Sequence, residues 1–594
     1  MAQSKKGRGP EGRRPSPAAL ARTGDAATAI RPVREAAPIP STAESAQPPA
    51  APASLYERAQ VAALPALALA AILLLPFAGK AFTIDDTVFL RQAEYALTDP
   101  LHPSALTMVW SEVSKPMRLS QVMPTGPLMA WLLMPVALAS GSEIVAHLEQ
   151  LLLVLLAVFE VAVLALRLGY DDEVARVAAL FLAATPAVLG MSGTVMPDIA
   201  AMTLALVGVE RLHAWGREGR AMQGVAAALA LGIAPLARSH VLLLAGLGVL
   251  FLPLPPIAPF TRLLPHRVRA GAWVKWLPVV AAPVLMLLVL RIVQDPLGGS
   301  SDMVSAAGMF SSLGNVRSNA IAFGVHWVLL LPLGLAWMLS RGRTFWMSVF
   351  PWLGLAAALA AIWYGHETGW LWIAPVAGFG AAVVADVVAD SVRRRDPTSG
   401  MLALWLLVAL PIVIYLHFPS KYLVACAPAA AIVSARAVLS LPRPRAHAIA
   451  GGLIAAGAIL GVMILRADST FAGLGRRAAE ELVAPYVTSG QNVWFNGHWG
   501  FQWYAEKAGG RCLTSTPPHP VHGDLVVSSV ETITGIPIQS FRSRELVATV
   551  TDQSPGGRIV SSQLGAGFYS NGWGYLPWAW GSTPVDRFDL WRLR

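Results

Sequence analysis

The chain reads as long apolar runs joined by short polar links, and the lengths of the runs are informative. A helix needs about 20 mostly apolar residues to cross a hydrocarbon layer of roughly 30 Å. Windows of that size predict about thirteen spans, near 60–79, 144–167, 173–191, 197–213, 221–237, 239–255, 273–293, 320–340, 345–363, 369–390, 401–417, 421–440 and 446–465. A further stretch, 124–139, is apolar but short and carries Pro127 and Pro135. Segments of that length favour the interface over a full crossing, so this one is predicted to lie at the membrane surface or dip into it.

Loop charge decides between that placement and an additional span, because short cytoplasmic loops accumulate Lys and Arg. If 124–139 does not cross, the groups Arg211/Arg217/Arg220, Arg262/Arg267/Arg269/Lys275, Arg341/Arg343, Arg393/Arg394/Arg395 and Arg443/Arg445 share one side. It is also the side of the N-terminal tail, with Lys5, Lys6, Arg8, Arg13, Arg14, Arg22, Arg31 and Arg34. A crossing would put the loops opposite the tail. The tail, 1–55, has too few large apolar residues to fold and is predicted as a disordered basic cytoplasmic arm. Arg13-Arg14 lacks the nearby apolar region that an export signal needs.

Composition agrees with a polytopic α-helical membrane protein: 55% of residues are hydrophobic and 13% charged. The net charge of +10 is spread over loops rather than gathered on one face, which argues against nucleic acid. Cys426 falls inside a span and Cys512 beyond the last one, so no disulfide framework is implied. From 467 onward the chain turns soluble in character. Short strands are predicted near 492–496, 524–528, 546–550 and 558–561, with helical pieces at 478–483 and 501–507. The expected organisation is a tail at 1–55, a transmembrane domain at 56–466 with its first outward loop at 80–143, and an outer-face α/β domain at 467–594. The aromatic stretch 567–580 suits an interfacial anchor better than a sugar-binding face.

Candidate chemistry gathers in the outward loops. Ile84-Asp85-Asp86-Thr87 lies just past the first apolar run, and ionisable groups near hydrocarbon are costly and often functional. The same loop carries Glu94, Asp99, His102, Glu112, Lys115 and Arg118; later outward links hold Asp198, Arg238, His240, Asp295, Asp302, Arg317, His366, Glu367, His417, Lys421 and Tyr422. Each has a bland rival. The aspartates could cap helices, Lys421 and Arg238 could snorkel to the interface, and the histidines read by default as ordinary interfacial residues. No His/Cys/Asp cluster has metal-ligand spacing, although a divalent cation on Asp85, Asp86 and Asp198 beside a phosphate stays open.

The run Ile84-Asp85-Asp86-Thr87-Val88-Phe89-Leu90-Arg91, the element Pro124-Thr125-Gly126-Pro127-Leu128 with Trp131, Thr194-Val195-Met196-Pro197-Asp198, Lys421-Tyr422-Leu423 with Pro428, and Gly497-His498-Trp499-Gly500-Phe501-Gln502-Trp503-Tyr504 together resemble the bacterial GT-C membrane glycosyltransferases. Within these, the resemblance is to the branch of protein O-mannosyltransferases and the lipid A aminoarabinose transferase. It implies inverting transfer of a sugar from a polyprenyl-phosphate carrier to an envelope acceptor (lipid, polysaccharide or protein) at the outer face of a bacterial inner membrane. It also implies an acid early in the first outward loop as base, the position of Asp85 and Asp86, with Asp198 in support. Lys421, with Tyr422 beside it, and Arg238 match the family's basic positions for the phosphate. Thr125-Gly126-Pro127-Leu128 stands where relatives carry Lys-Pro-Pro-Leu or Asn-Pro-Pro-Leu, and Lys115 or Arg118 would have to supply the missing polar contact. The rival classes are a secondary transporter, which predicts inverted repeats that the sequence does not display, and a non-catalytic envelope assembly protein.

Overall fold

The computed structural model describes residues 54–110, 115–122, 126–254, 271–293, 313–531 and 536–594. The N-terminal tail and the expectations on Glu112, Pro124, Thr125, Arg262, Arg267, Arg269, Asp295 and Asp302 lie outside these residues.

Every expected span falls on helix, but fewer pass as crossings on length and apolarity. Among the described residues seven helices qualify: Leu55–Phe77, Glu143–Arg167, Ala272–Val293, Thr368–Arg394, Pro397–Ile414, Ser420–Leu439 and Arg443–Thr488. Two bent pairs raise the number to nine. Asp172–Ala183 meets Pro186–Ser192 at 51°, and Val316–Leu329 meets Leu333–Arg341 at 68°. Both bends have a proline as cause, Pro186 and Pro332, which removes a backbone donor and disfavours helix in the preceding residue; Thr185 is accordingly extended. The remaining four expectations are Ala221–Leu236, Ser239–Leu250 and Phe350–Tyr364, which are shorter apolar helices, and Asp198–Glu218. That last helix is long enough but carries Glu210, Arg211, Arg217 and Glu218, of which Glu210 and Glu218 pair with Arg167 of Glu143–Arg167.

Capping follows the sequence. Ser54 and Glu57 form a capping box at the first helix, Ser142 and Asp171 accept the first free backbone N–H groups of theirs, and Gly219 ends Asp198–Glu218 at φ 73°. The stretch expected at the interface holds two five-residue helices, Leu128–Leu132 and Met134–Leu138, each only about 7 Å long at 1.5 Å per residue.

The helix Arg443–Leu482 runs unbroken through residue 466 and leads to a five-stranded sheet. Its order is Arg511–Cys512, Val493–Asn496, Leu525–Ser529, Arg587–Leu593, Arg544–Thr551. The first three strands are parallel and the last two join antiparallel. The strand Arg587–Leu593, next to the centre of the sheet, was not expected: its charges at Arg587, Asp589 and Arg592 mask the alternation. The aromatic stretch 567–580 is divided between the interior and the surface. Phe568, Tyr569 and Tyr575 are buried, and Trp580 is the large exposed side chain.

Candidate functional site

The helix Asp86–Ala96 starts at a backbone strained against its own sequence. Ile84 sits at φ 40°, a left-handed conformation that is unfavourable for a β-branched residue. The turn sends the two neighbouring carboxylates in different directions. Asp85 is the N-cap residue, yet its side chain does not cap. Its Oδ2 lies 3.0 Å from Lys421 Nζ, with 15% of the Asp85 side chain exposed.

Asp86 is fully buried. One of its oxygens accepts from the Thr83 N–H at 2.8 Å and the other from the Val195 N–H at 2.9 Å. Burial, opposed mainly by Lys80, pushes its acid up to about 7 from 3.8. Asp86 was expected as half of a base pair; the fold uses both of its oxygens to pin the start of the helix Asp86–Ala96 to the 194–198 link. The pair divides into a reachable acid and a locked one.

Asp198 and Arg238 form the second ion pair. Two bonds of 3.0 and 2.8 Å join them, with 2% of the Asp198 side chain exposed. Pro197 takes the N-cap position, so capping does not explain this acid either. Arg238 stands in extended backbone where Ala221–Leu236 gives way to Ser239–Leu250, and its guanidinium lies 5.5 Å from the ring centre of Tyr422. Lys421 Nζ is 4.0 Å from the sulfur of Met196. Asp85, Asp198, Arg238, Lys421 and Tyr422 thus form one cluster, drawn from four distant segments.

Two histidines that read as ordinary interfacial residues belong to it as well. The His240 ring meets Tyr422 edge-on at 5.9 Å. His417 packs on Tyr415, which packs in turn on Tyr422, each at 5.9 Å. Burial first, then Lys421, pushes His417 down to about 4, with Asp85 opposing. Lys115 is exposed and precedes the strand Met117–Arg118, where Arg118 pairs with Thr107. That hairpin packs on the loop helix through Val88, Trp110 and Leu119. Gly126 has a different use: a Cβ there would stand 1.8 Å from the Leu236 carbonyl oxygen, so the bare backbone brings this loop against the approach to Arg238.

The C-terminal region grips both acid-bearing and base-bearing loops. In the motif 497–504, the Trp499 carbonyl accepts from Thr87 Oγ1 at 2.5 Å. Tyr504 Oη accepts from the Phe82 N–H at 2.8 Å and donates to Glu143 at 2.5 Å. Arg91 pairs with Glu506, and Lys507 with Glu94 at 2.6 Å. On the other side, the Phe568 carbonyl accepts from the Ser420 N–H at 3.0 Å and Asn571 Oδ1 from the Phe418 N–H at 2.9 Å. Asn571 also donates to Asn319, which donates to the Val413 and Tyr415 carbonyls. Beneath the acids, Lys80 and Asp468 pair at 2.9 Å with side chains 0% and 1% exposed. Removing one partner of such a pair costs about 3–5 kcal/mol. Lys80, Asp468, Asn319 and Asn571 were not singled out in the sequence; for Lys80 and Asp468 the signal was a charge just past the end of an apolar run. Among the described residues, no group of three or more His, Cys, Asp or Glu is gathered for a metal ion.

No protein-family model matches the chain, and no curated protein matches it in sequence. Its backbone is similar to that of several solved structures. Apo ArnT from Cupriavidus metallidurans superposes with a TM-score of 0.48 at 12% identity, covering 78% of this chain and 92% of that one. For the archaeal oligosaccharyltransferase AglB from Archaeoglobus fulgidus, in complex with an inhibitory peptide and a dolichol-phosphate, the values are 0.46 and 12%, over 80% and 70%. For the arabinofuranosyltransferase AftD from Mycobacteria they are 0.42 and 15%, over 90% and 40%. All three are GT-C-fold glycosyltransferases.

Proposed function

We propose that the chain is an inverting glycosyltransferase that moves a sugar from a polyprenyl-phosphate carrier to an envelope acceptor. The reaction is assigned to the outer face of a bacterial inner membrane, with the N-terminus cytoplasmic, 56–466 as the transmembrane domain and 467–594 extracytoplasmic. The observation that carries this reading is the joining of Asp85–Lys421 and Asp198–Arg238 around Tyr422.

Displacement at an anomeric carbon needs a carboxylate within reach of the acceptor hydroxyl and positive charge where the leaving phosphate gains its own. Asp85 is the acid that the fold leaves reachable, and it takes the acceptor proton. Asp198 holds the Arg238 fork in a fixed orientation through two parallel bonds. Lys421 stands in the first turn of Ser420–Leu439, where a cation adds to the positive end of the helix dipole; this end attracts an anion. A single displacement inverts the anomeric centre. Asp86 positions Asp85 and takes no proton from substrate.

The test is transfer from labelled polyprenyl-phosphate sugar by the reconstituted full-length protein. Asp85→Asn is expected to lose about 10²–10⁴-fold in turnover while still binding the carrier. Transfer at the wild-type rate by Asp85→Asn would sink the proposal.

A further inference from the structure

Both cations of the site are already neutralised by acids, Lys421 by Asp85 and Arg238 by Asp198. An incoming phosphate therefore competes with two carboxylates for its charge partners, and an additional donor would decide how firmly it is held. The ring of His240 has the right place. It lies two residues from Arg238, and it stands nearly perpendicular to the ring of Tyr422 with centres 5.9 Å apart, the ring that also faces the Arg238 guanidinium at 5.5 Å. Its Nε2 is shielded from solvent and has no hydrogen-bond partner among the described residues. Buried polar atoms are nearly always satisfied, and one left open within a charged cluster calls for a partner.

We propose that His240 Nε2 donates a hydrogen bond to the phosphate of the prenyl carrier, as a third contact beside Lys421 and Arg238. This inference rests on the carrier-phosphate reading of the site. As the sugar–oxygen bond breaks, its electron pair stays on the phosphate oxygen, so the phosphate gains negative charge. A neutral imidazole can strengthen its bond to that oxygen without drawing on Asp85 or Asp198. The two cations do not have this freedom, because each must give up part of an ion pair.

Binding of farnesyl phosphate to the full-length protein in detergent tests this, with farnesol as the phosphate-free control. A hydrogen bond to a charged group predicts a loss of about ten- to a hundredfold when the donor is removed. His240→Phe, which keeps a flat ring against Tyr422, is expected to show that loss; His240→Leu serves where the Phe variant does not accumulate as folded protein. His240→Gln, which keeps a donor, is expected to retain affinity within about threefold. Wild-type affinity in the Phe or Leu variant overturns the inference, as does equal weakening by Gln and Phe, which would mark a packing role. If these results came with weakened binding by Lys421→Met, the phosphate reading itself would stand. Wild-type protein that does not distinguish farnesyl phosphate from farnesol would overturn both.

Discussion

Asp85 and Asp86 show how far two neighbouring residues of one type can diverge. The sequence presents them as a pair, and nothing in it tells them apart. The backbone turn at Ile84 and the Val195 amide separate them: one carboxylate reaches Lys421 and the other is consumed by backbone donors. A pH dependence follows for Asp86. Because burial raises its acid in the folded protein from 3.8 to about 7, the folded state binds this proton more tightly than the unfolded state. The associated stability is present below about pH 4 and is lost as pH rises through about 7. The thermal midpoint of the wild type is therefore expected to fall relative to Asp86→Asn across that window, measured by unfolding in detergent at fixed salt. Parallel curves for the two proteins would exclude the titration.

Among elements, the helix Trp499–Lys507 explains why the first outward loop is held so firmly. Its motif is legible in the sequence as a turn and a helix start, but its partner is not, since Phe82 and Thr87 are more than four hundred residues away. Gly500 makes the approach possible: a Cβ there would lie 2.0 Å from the Phe82 carbonyl oxygen. That oxygen is backbone and cannot swing aside. Gly500→Ala is expected to destabilise the protein by about 1–3 kcal/mol and to lower turnover more than carrier binding, because the displaced loop bears Asp85 and not Lys421. Steady-state kinetics with a parallel unfolding curve check this; unchanged turnover would show that the clasp does not position the acid. The matching brace from Asn571 and Phe568 to 418–420 holds the base-bearing loop from the other side.

For the whole molecule, the distribution of Lys and Arg among the loops predicts that both grips lie on the outer face. Orientation can be checked by cysteine labelling in a background lacking Cys426 and Cys512. Lys115 and Arg443 are both exposed. Lys115→Cys is expected to react with a membrane-impermeant maleimide on intact spheroplasts, and Arg443→Cys only after permeabilisation. The reverse pattern would invert the topology and move the cluster to the cytoplasmic side. The number of crossings shows the limit of composition. Thirteen apolar windows resolve into seven to nine qualifying spans among the described residues, because prolines bend two of them and charges or short length disqualify the rest.

Apolar run length and charge placement were enough to establish a polytopic helical protein and to single out the residues of two ion pairs, because each depends on local composition and on what hydrocarbon tolerates. Pairing Asp85 with Lys421, joining His240 and His417 to the cluster and burying Lys80 against Asp468 depended on long-range packing. The same holds for the stretch 567–580, of which Phe568, Tyr569 and Tyr575 are buried and Trp580 is exposed. Contacts across three hundred or more residues leave no periodicity to read. They exist only once the helices have brought their ends together.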